Sequence, residues 1–191
     1  MDKNTQVPAV RVGVDLSKRV IQVHAVDAGG RVLTNRALTR DKFLSWCAQL
    51  PAGCMVVMEV SSSAHHWARK QLAMGLDARI VSAHLAAPYR SEGHVGKNDA
   101  NDAAAICEAA GRPHMRFVPV KTAEQQGQLS VHRLREGYKA ERTALINRIR
   151  GVLVEFGMSF PQSPEALRPR VRHQTVVSGV FRPLTLLEST T

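Results

Sequence analysis

The sequence predicts an α/β domain, a mixed sheet with flanking helices, followed by a helical arm. Three observations carry that expectation. Strand-like runs crowd the first forty residues, with a glycine turn between two of them. Continuous apolar runs then alternate with helical patterns, and the chain from Thr122 onward loses its strand signals.

Arg11–Ser17 reads as the first strand. Val20–Asp27 follows as the second, with Val20, Gln22, His24 and Val26 on one face by the two-residue period. Ala28-Gly29-Gly30 supplies the turn, because glycine takes the positive φ that a tight hairpin needs. Arg31–Ala37 returns as the third strand, giving an antiparallel meander. Asp41–Leu50 places Phe43, Leu44, Cys47 and Leu50 at helical spacing. Cys54–Val60 (CMVVMEV) is almost continuously apolar, as suits a strand buried on both faces.

Ser63–Gly75 reads as a helix ended by glycine, and Ala78–Ser82 as another buried strand. Residues 84–97 read as a loop. Asn98 or Asp99 caps an Ala-rich helix that runs to about Ala110 and is closed by Gly111-Arg112-Pro113. From Thr122 to Phe156 the chain reads as a pair of helices or a coiled-coil arm, with Leu129, Leu134, Leu145, Ile149 and Val152 recurring loosely. The tail from Gly157 holds four prolines without a period and reads as poorly ordered. The expected division is a domain over 1–120, an arm over 121–157 and a tail over 158–191. This order is compatible with a ribonuclease-H-like fold, and with other α/β folds too.

Lys and Arg number 26 against 16 Asp and Glu, a net charge of +10, which draws the chain to polyanions such as phosphate backbones. The plainer reading of a basic chain is solubility. Between Arg133 and Arg150 six Lys/Arg face two Glu, which suggests a helix face that touches phosphates. No apolar run approaches the roughly 20 residues needed to cross a bilayer, and the N-terminus has no signal-peptide core, so a cytoplasmic protein without a membrane partner is expected. Cys47, Cys54 and Cys107 lack CxxC spacing and read as ordinary semi-buried thiols.

Two acids stand where apolar strands make charge costly: Asp15 in Val12-Gly13-Val14-Asp15, and Glu59 closing Met55-Val56-Val57-Met58-Glu59. Asp99 and Asp102 lie three residues apart at a helix start, on one face, where the helix dipole favours their charge. Four carboxylates from separate segments are what two hard cations such as Mg²⁺ need, and such a pair serves phosphodiester displacement. Each acid also has a plainer reading: Asp15 as a turn acid, Glu59 as a partner of Arg69 or Lys70, Asp99 as an N-cap, and Asp102 as a first-turn acid. Lys97, beside the pair, contacts phosphate or is solvated.

Residues 12–18 (VGVDLSK), 58–69 (MEVSSSAHHWAR), 97–106 (KNDANDAAAI) and 142–157 (RTALINRIRGVLVEFG) together resemble the N-terminal part of DEDD-type transposases of the insertion-sequence 110 family. The resemblance covers about residues 11–170. It implies a RuvC-like ribonuclease H fold in which Asp15, Glu59, Asp99 and Asp102 form the catalytic, metal-binding tetrad, with a helical arm after it. It further implies DNA recombination directed by a structured RNA, so DNA and a guide RNA are the expected partners, with a homo-oligomer formed through the arm. Members of that family are longer, and their C-terminal domain supplies a serine held to attack DNA. Ser178 lies in a segment that does not match that serine motif, so the chain reads as a truncated N-terminal portion. The alternatives are a catalytically inert nucleic-acid-binding remnant and a stand-alone Mg²⁺-dependent junction nuclease.

Other residues carry competing readings. His65, His66 and Trp67 suit a general base or a base-stacking ring, or else a helix whose Trp67 packs on the sheet. Ser61, Ser62 and Ser63 suit a nucleophile, or a strand-to-helix turn. Arg133, Arg135, Arg142, Arg148 and Arg150 suit nucleic-acid phosphates, or a solvated face.

Overall fold

A computed structural model describes residues 8–90, 98–159 and 163. Strands β1 (Arg11–Leu16), β2 (Val20–Val26) and β3 (Val32–Thr39) form the expected antiparallel meander. The β2–β3 turn is fixed by Asp27, whose carboxylate accepts from the amides of Gly29 and Arg31 at 2.9 Å each, with Gly30 at φ 81. Strand β4 (Met55–Glu59) lies parallel beside β1, and β5 (Asp77–Val81) parallel beside β4. A two-residue β6 (Phe117–Val118) closes the sheet antiparallel to β5, in the order β3-β2-β1-β4-β5-β6. The sequence reading lacked β6, since two residues cannot show a period.

Strand alternation divides the core between two faces. Val12, Val14, Ile21, Val23, Val56, Met58 and Ile80 pack on one, with Phe43 and Cys47 of α1 (Arg40–Cys47) and Trp67 and Ala68 of α2 (Ala64–Leu72). Trp67 sets its edge on Phe43 at 5.3 Å and carries the Arg40 guanidinium over its ring at 5.2 Å. It is a core residue and not a base-stacking ring. Val57 and Val81 on the other face meet Ile106, Ala109 and Ala110 of α4 (Asp99–Ala110). The continuous apolar run of β4 thus has the cause expected of it: both faces are covered.

Helix α4 lies against β1 with almost no side chain between them. An added Cβ at Gly13 would come to 2.1 Å from the Ala103 carbonyl oxygen and 2.5 Å from the Cys107 amide nitrogen. Glycine in β1 and alanines along α4 are therefore two halves of one contact.

The segment 84–97 is not all loop. Helix α3 (Ala83–Ala86) and a 3-10 turn (Ala87–Tyr89) occupy its start, anchored by fully buried Ala86. One turn of helix offers too few positions for a pattern to show. Lys97, with the rest of 91–97, lies outside the described residues.

The chain divides into two compact units, Met1–Gly127 and Gln128–Thr191. The arm is one helix, α5 (Ala123–Glu155), where the sequence left a pair of helices open. Thr122 and Gln125 cap it reciprocally, the Thr122 amide donating to Oε1 of Gln125 at 3.0 Å and the Gln125 amide to Oγ1 of Thr122 at 3.1 Å. Gly127, Gly137 and Gly151 sit inside it with open space where a Cβ would be, each costing about 1 kcal/mol of helix propensity relative to alanine. Val131, Leu134, Tyr138 and Leu145 are exposed along it. Among the described residues no helix is long and apolar enough to cross a membrane. The tail expected over 158–191, Ser178 included, lies outside the described residues apart from 158, 159 and 163.

Replacing Gly13 by Ala should destabilise the protein by about 3 kcal/mol, since the new methyl meets helix backbone that cannot rotate away. Urea unfolding measures it, with Gly127→Ala as the control that should not destabilise.

Candidate acidic site

The strand register brings the first two acids together. Val14 of β1 pairs with Met58 of β4, so Asp15 and Glu59, each the next residue, lie side by side on the face that α4 covers. Helix α4 brings the other two. Asn98 is its N-cap, its side chain accepting from the amides of Ala100 at 2.7 Å and Asn101 at 3.2 Å. The capping duty that offered Asp99 its plainer reading belongs to Asn98. Asp99 and Asp102 stand in the first turn, at the positive end of the helix dipole.

The other three acids are felt at Asp15. Burial is the first cause that raises its carboxyl above the usual range, and Asp99, Asp102 and Glu59 raise it further, in that order, while Arg90 lowers it. Asp15 also faces Gln22 across the β1–β2 pair. Gln22 donates to Oδ1 of Asn35 at 2.7 Å, and Asn35 donates to the Ala100 carbonyl at 3.4 Å, which ties the meander to the start of α4.

Arg90, directly after the 3-10 turn, is the residue the sequence reading missed. Its Nη2 donates to Oε2 of Glu59 at 2.9 Å, and its Nε lies 2.9 Å from Oδ1 of Asp102. Glu59 thus has an arginine partner, as its plainer reading proposed, but it is neither Arg69 nor Lys70. Nothing local in Pro88-Tyr89-Arg90 marks this role, because the partners come from distant segments. Among the described residues no three His, Cys, Asp or Glu side chains are arranged to hold a metal ion. The donor chemistry fits a hard cation: Asp15, Glu59, Asp99 and Asp102 offer carboxylate oxygens, and the charges of the other three add to burial in raising Asp15.

The remaining candidates fall elsewhere. His65 is held by Lys121, whose amide and Nζ lie 3.2 Å from its two ring nitrogens, and burial, then Lys121 and Arg69, lowers its pKa. Ser61–Ser63 form the turn into α2. Cys47, Cys54 and Cys107 are free and buried, with burial pushing Cys47 and Cys54 up to about 11. Arg133, Arg135, Arg142 and Arg148 are exposed on α5 and Arg150 is half-buried.

The family model for DEDD transposases of IS110 type, described as Transposase, matches residues 12–158. The chain is 47% identical over 148 residues to a probable family 20 transposase of Pseudomonas aeruginosa, covering 78% of this chain and 43% of that protein. It is 43% identical over 148 residues to the transposase for insertion sequence element IS1111A of Coxiella burnetii, 78% of this chain and 40% of that one. A putative transposase of Sinorhizobium fredii is 40% identical over 149 residues, 78% of this chain and 38% of that protein. The chain therefore spans less than half the length of the curated relatives it matches.

The raised Asp15 carboxyl carries a sign. Native Asp15 holds a proton that the unfolded chain releases near 3.8, so stability falls as pH rises from there through the native value. Asp15→Asn should therefore be more stable than the parent at pH 7 in chelator. That advantage should shrink as the pH is lowered toward 3.8, as read by urea unfolding across the range.

Proposed function

This chain belongs to the DEDD transposase family of IS110 type, and from that premise we propose that its first unit is a ribonuclease-H-like, RuvC-like domain for metal-dependent phosphodiester chemistry in DNA transposition. The observation that carries this reading is the strand register that sets Asp15 beside Glu59, with Asp99 and Asp102 in the first turn of α4 close enough for their charges to act on Asp15. Those four residues would hold the cations, in the first place two Mg²⁺ ions. Bound there, divalent ions supply the Lewis-acid charge that stabilises displacement at phosphorus.

The protein's own groups do the rest. The β1–β4 pair fixes Asp15 and Glu59 on a rigid sheet, and the capped end of α4 fixes Asp99 and Asp102. Asn35 and Gln22 hold the outer strands to that helix end. Arg133, Arg135, Arg142, Arg148 and Arg150 on α5 contact phosphates of DNA or of a structured guide RNA. Lys97, a further phosphate contact in this reading, lies outside the described residues. The exposed Val131, Leu134 and Tyr138 suit pairing of the arm with a second copy. Work on DNA in a bacterial cell would place the protein in the cytoplasm.

Two experiments test this. With Mg²⁺ and branched or duplex DNA, the protein should cleave, and Asp15→Asn and Asp102→Asn should each abolish cleavage. A parent that binds DNA but never cleaves it, in any divalent ion, would favour the reading of an inert binding remnant. Separately, nucleic-acid affinity should fall steeply between low and physiological salt. Arg142, Arg148 and Arg150 replaced together by Gln should weaken binding and flatten that slope by about 3, one per lost phosphate contact. An unchanged slope in fluorescence anisotropy would make α5 a structural element only.

A further inference from the structure

Arg90 leaves the 3-10 turn with extended backbone, at φ −71 and ψ 128, and from there spans two elements. One guanidinium reaches Glu59 at the end of β4 and Asp102 in the first turn of α4, 2.9 Å from an oxygen of each. It takes the place in which a cation shared by strand and helix would sit.

Two features make this pairing exchangeable. The Asp102 contact is one of charge alone, since Arg90 Nε is buried and makes no hydrogen bond, so the fork geometry that makes arginine–carboxylate pairs strong is missing there. The Arg90 side chain is also 38% exposed, against 14% for Asp102, so it lies at the edge of the site and moves outward without opening the core. A guanidinium brings one positive charge to a site with four carboxylates, whereas a divalent cation brings two and binds oxygen directly.

We infer that Arg90 is the resident counter-ion of the acidic site, holding Glu59 and Asp102 where a divalent cation would, and giving up both carboxylates when one binds. This rests on the metal reading of the four acids. The consequence is competition. Whatever free energy the two ion pairs contribute is subtracted from the apparent affinity for the cation, because only the state with Arg90 displaced can bind it fully. In return, the acids are kept near one another, against their mutual repulsion, while no metal is bound.

The test uses the purified 191-residue chain, freed of metal by chelator, and reads thermal unfolding at increasing MgCl₂. The parent is compared with Arg90→Gln, Arg90→Lys and Arg90→Gln combined with Asp15→Asn. Without metal, Arg90→Gln should melt below the parent, and the added Asp15→Asn should recover part of the loss. The magnesium concentration at half-maximal stabilisation should fall about tenfold in Arg90→Gln, with Arg90→Lys between the two. Equal midpoints in parent and Arg90→Gln would overturn the inference while leaving the metal reading standing. A higher midpoint in Arg90→Gln would overturn it too, by making Arg90 a helper of the cation. Stabilisation of neither protein at any magnesium concentration would remove both. Should Arg90→Gln not fold, Arg90→Lys decides, and a midpoint equal to the parent's counts against the inference.

Discussion

The contact between β1 and α4 is the constraint on which the site depends. A helix lying on a sheet is normally held off by the side chains between them, and here Gly13 removes one side of that spacer while Ala103 and Cys107 keep the other thin. The helix start then comes within electrostatic range of the strand end. Without that approach, Asp99 and Asp102 would be two acids at an ordinary helix N-terminus, and Asp15 and Glu59 a pair of carboxyls at the ends of two strands. The backbone contact and the charge cluster are one design seen at two points along α4.

That arrangement opposes folding before it serves anything. Burial and three like charges push Asp15 toward its neutral form, and among the described residues Arg90 pulls the other way. The fold withstands the opposition because the supports are placed elsewhere. Asn98 closes the helix end, the Gln22–Asn35–Ala100 chain ties it to the meander, and a core on each sheet face holds the strands. Stability is spent at the acids and made up in the packing around them, as is common where charge is concentrated for chemistry.

Much of this was legible in the sequence, and for local reasons. Asp15 and Glu59 stand out because each follows a run of apolar residues, and Asp99 and Asp102 because a helix start precedes an Ala-rich stretch. The meander was legible from the Ala28-Gly29-Gly30 turn, and the buried β4 from its lack of alternation. What could not be read were relations between distant segments. Arg90 meets Glu59 across 31 residues, and no period or motif around it announces the pairing. The closeness demanded at Gly13 is likewise visible only from Ala103. Helix α3 and β6 were missed because four and two residues are too short for any pattern. The arm was ambiguous because its glycines look like breaks, whereas the Thr122–Gln125 cap and the turns between them carry the helix through.

Those glycines give the arm a mechanical character. A helix of uniform sequence bends evenly, as a single elastic rod. In α5, Gly127, Gly137 and Gly151 stand about three and about four turns apart, with no methyl to pack on the neighbouring turns. Opening a turn costs least at those points, because glycine gains the most backbone freedom when released. Bending strain therefore collects at three joints and leaves the stretches between them as stiff levers.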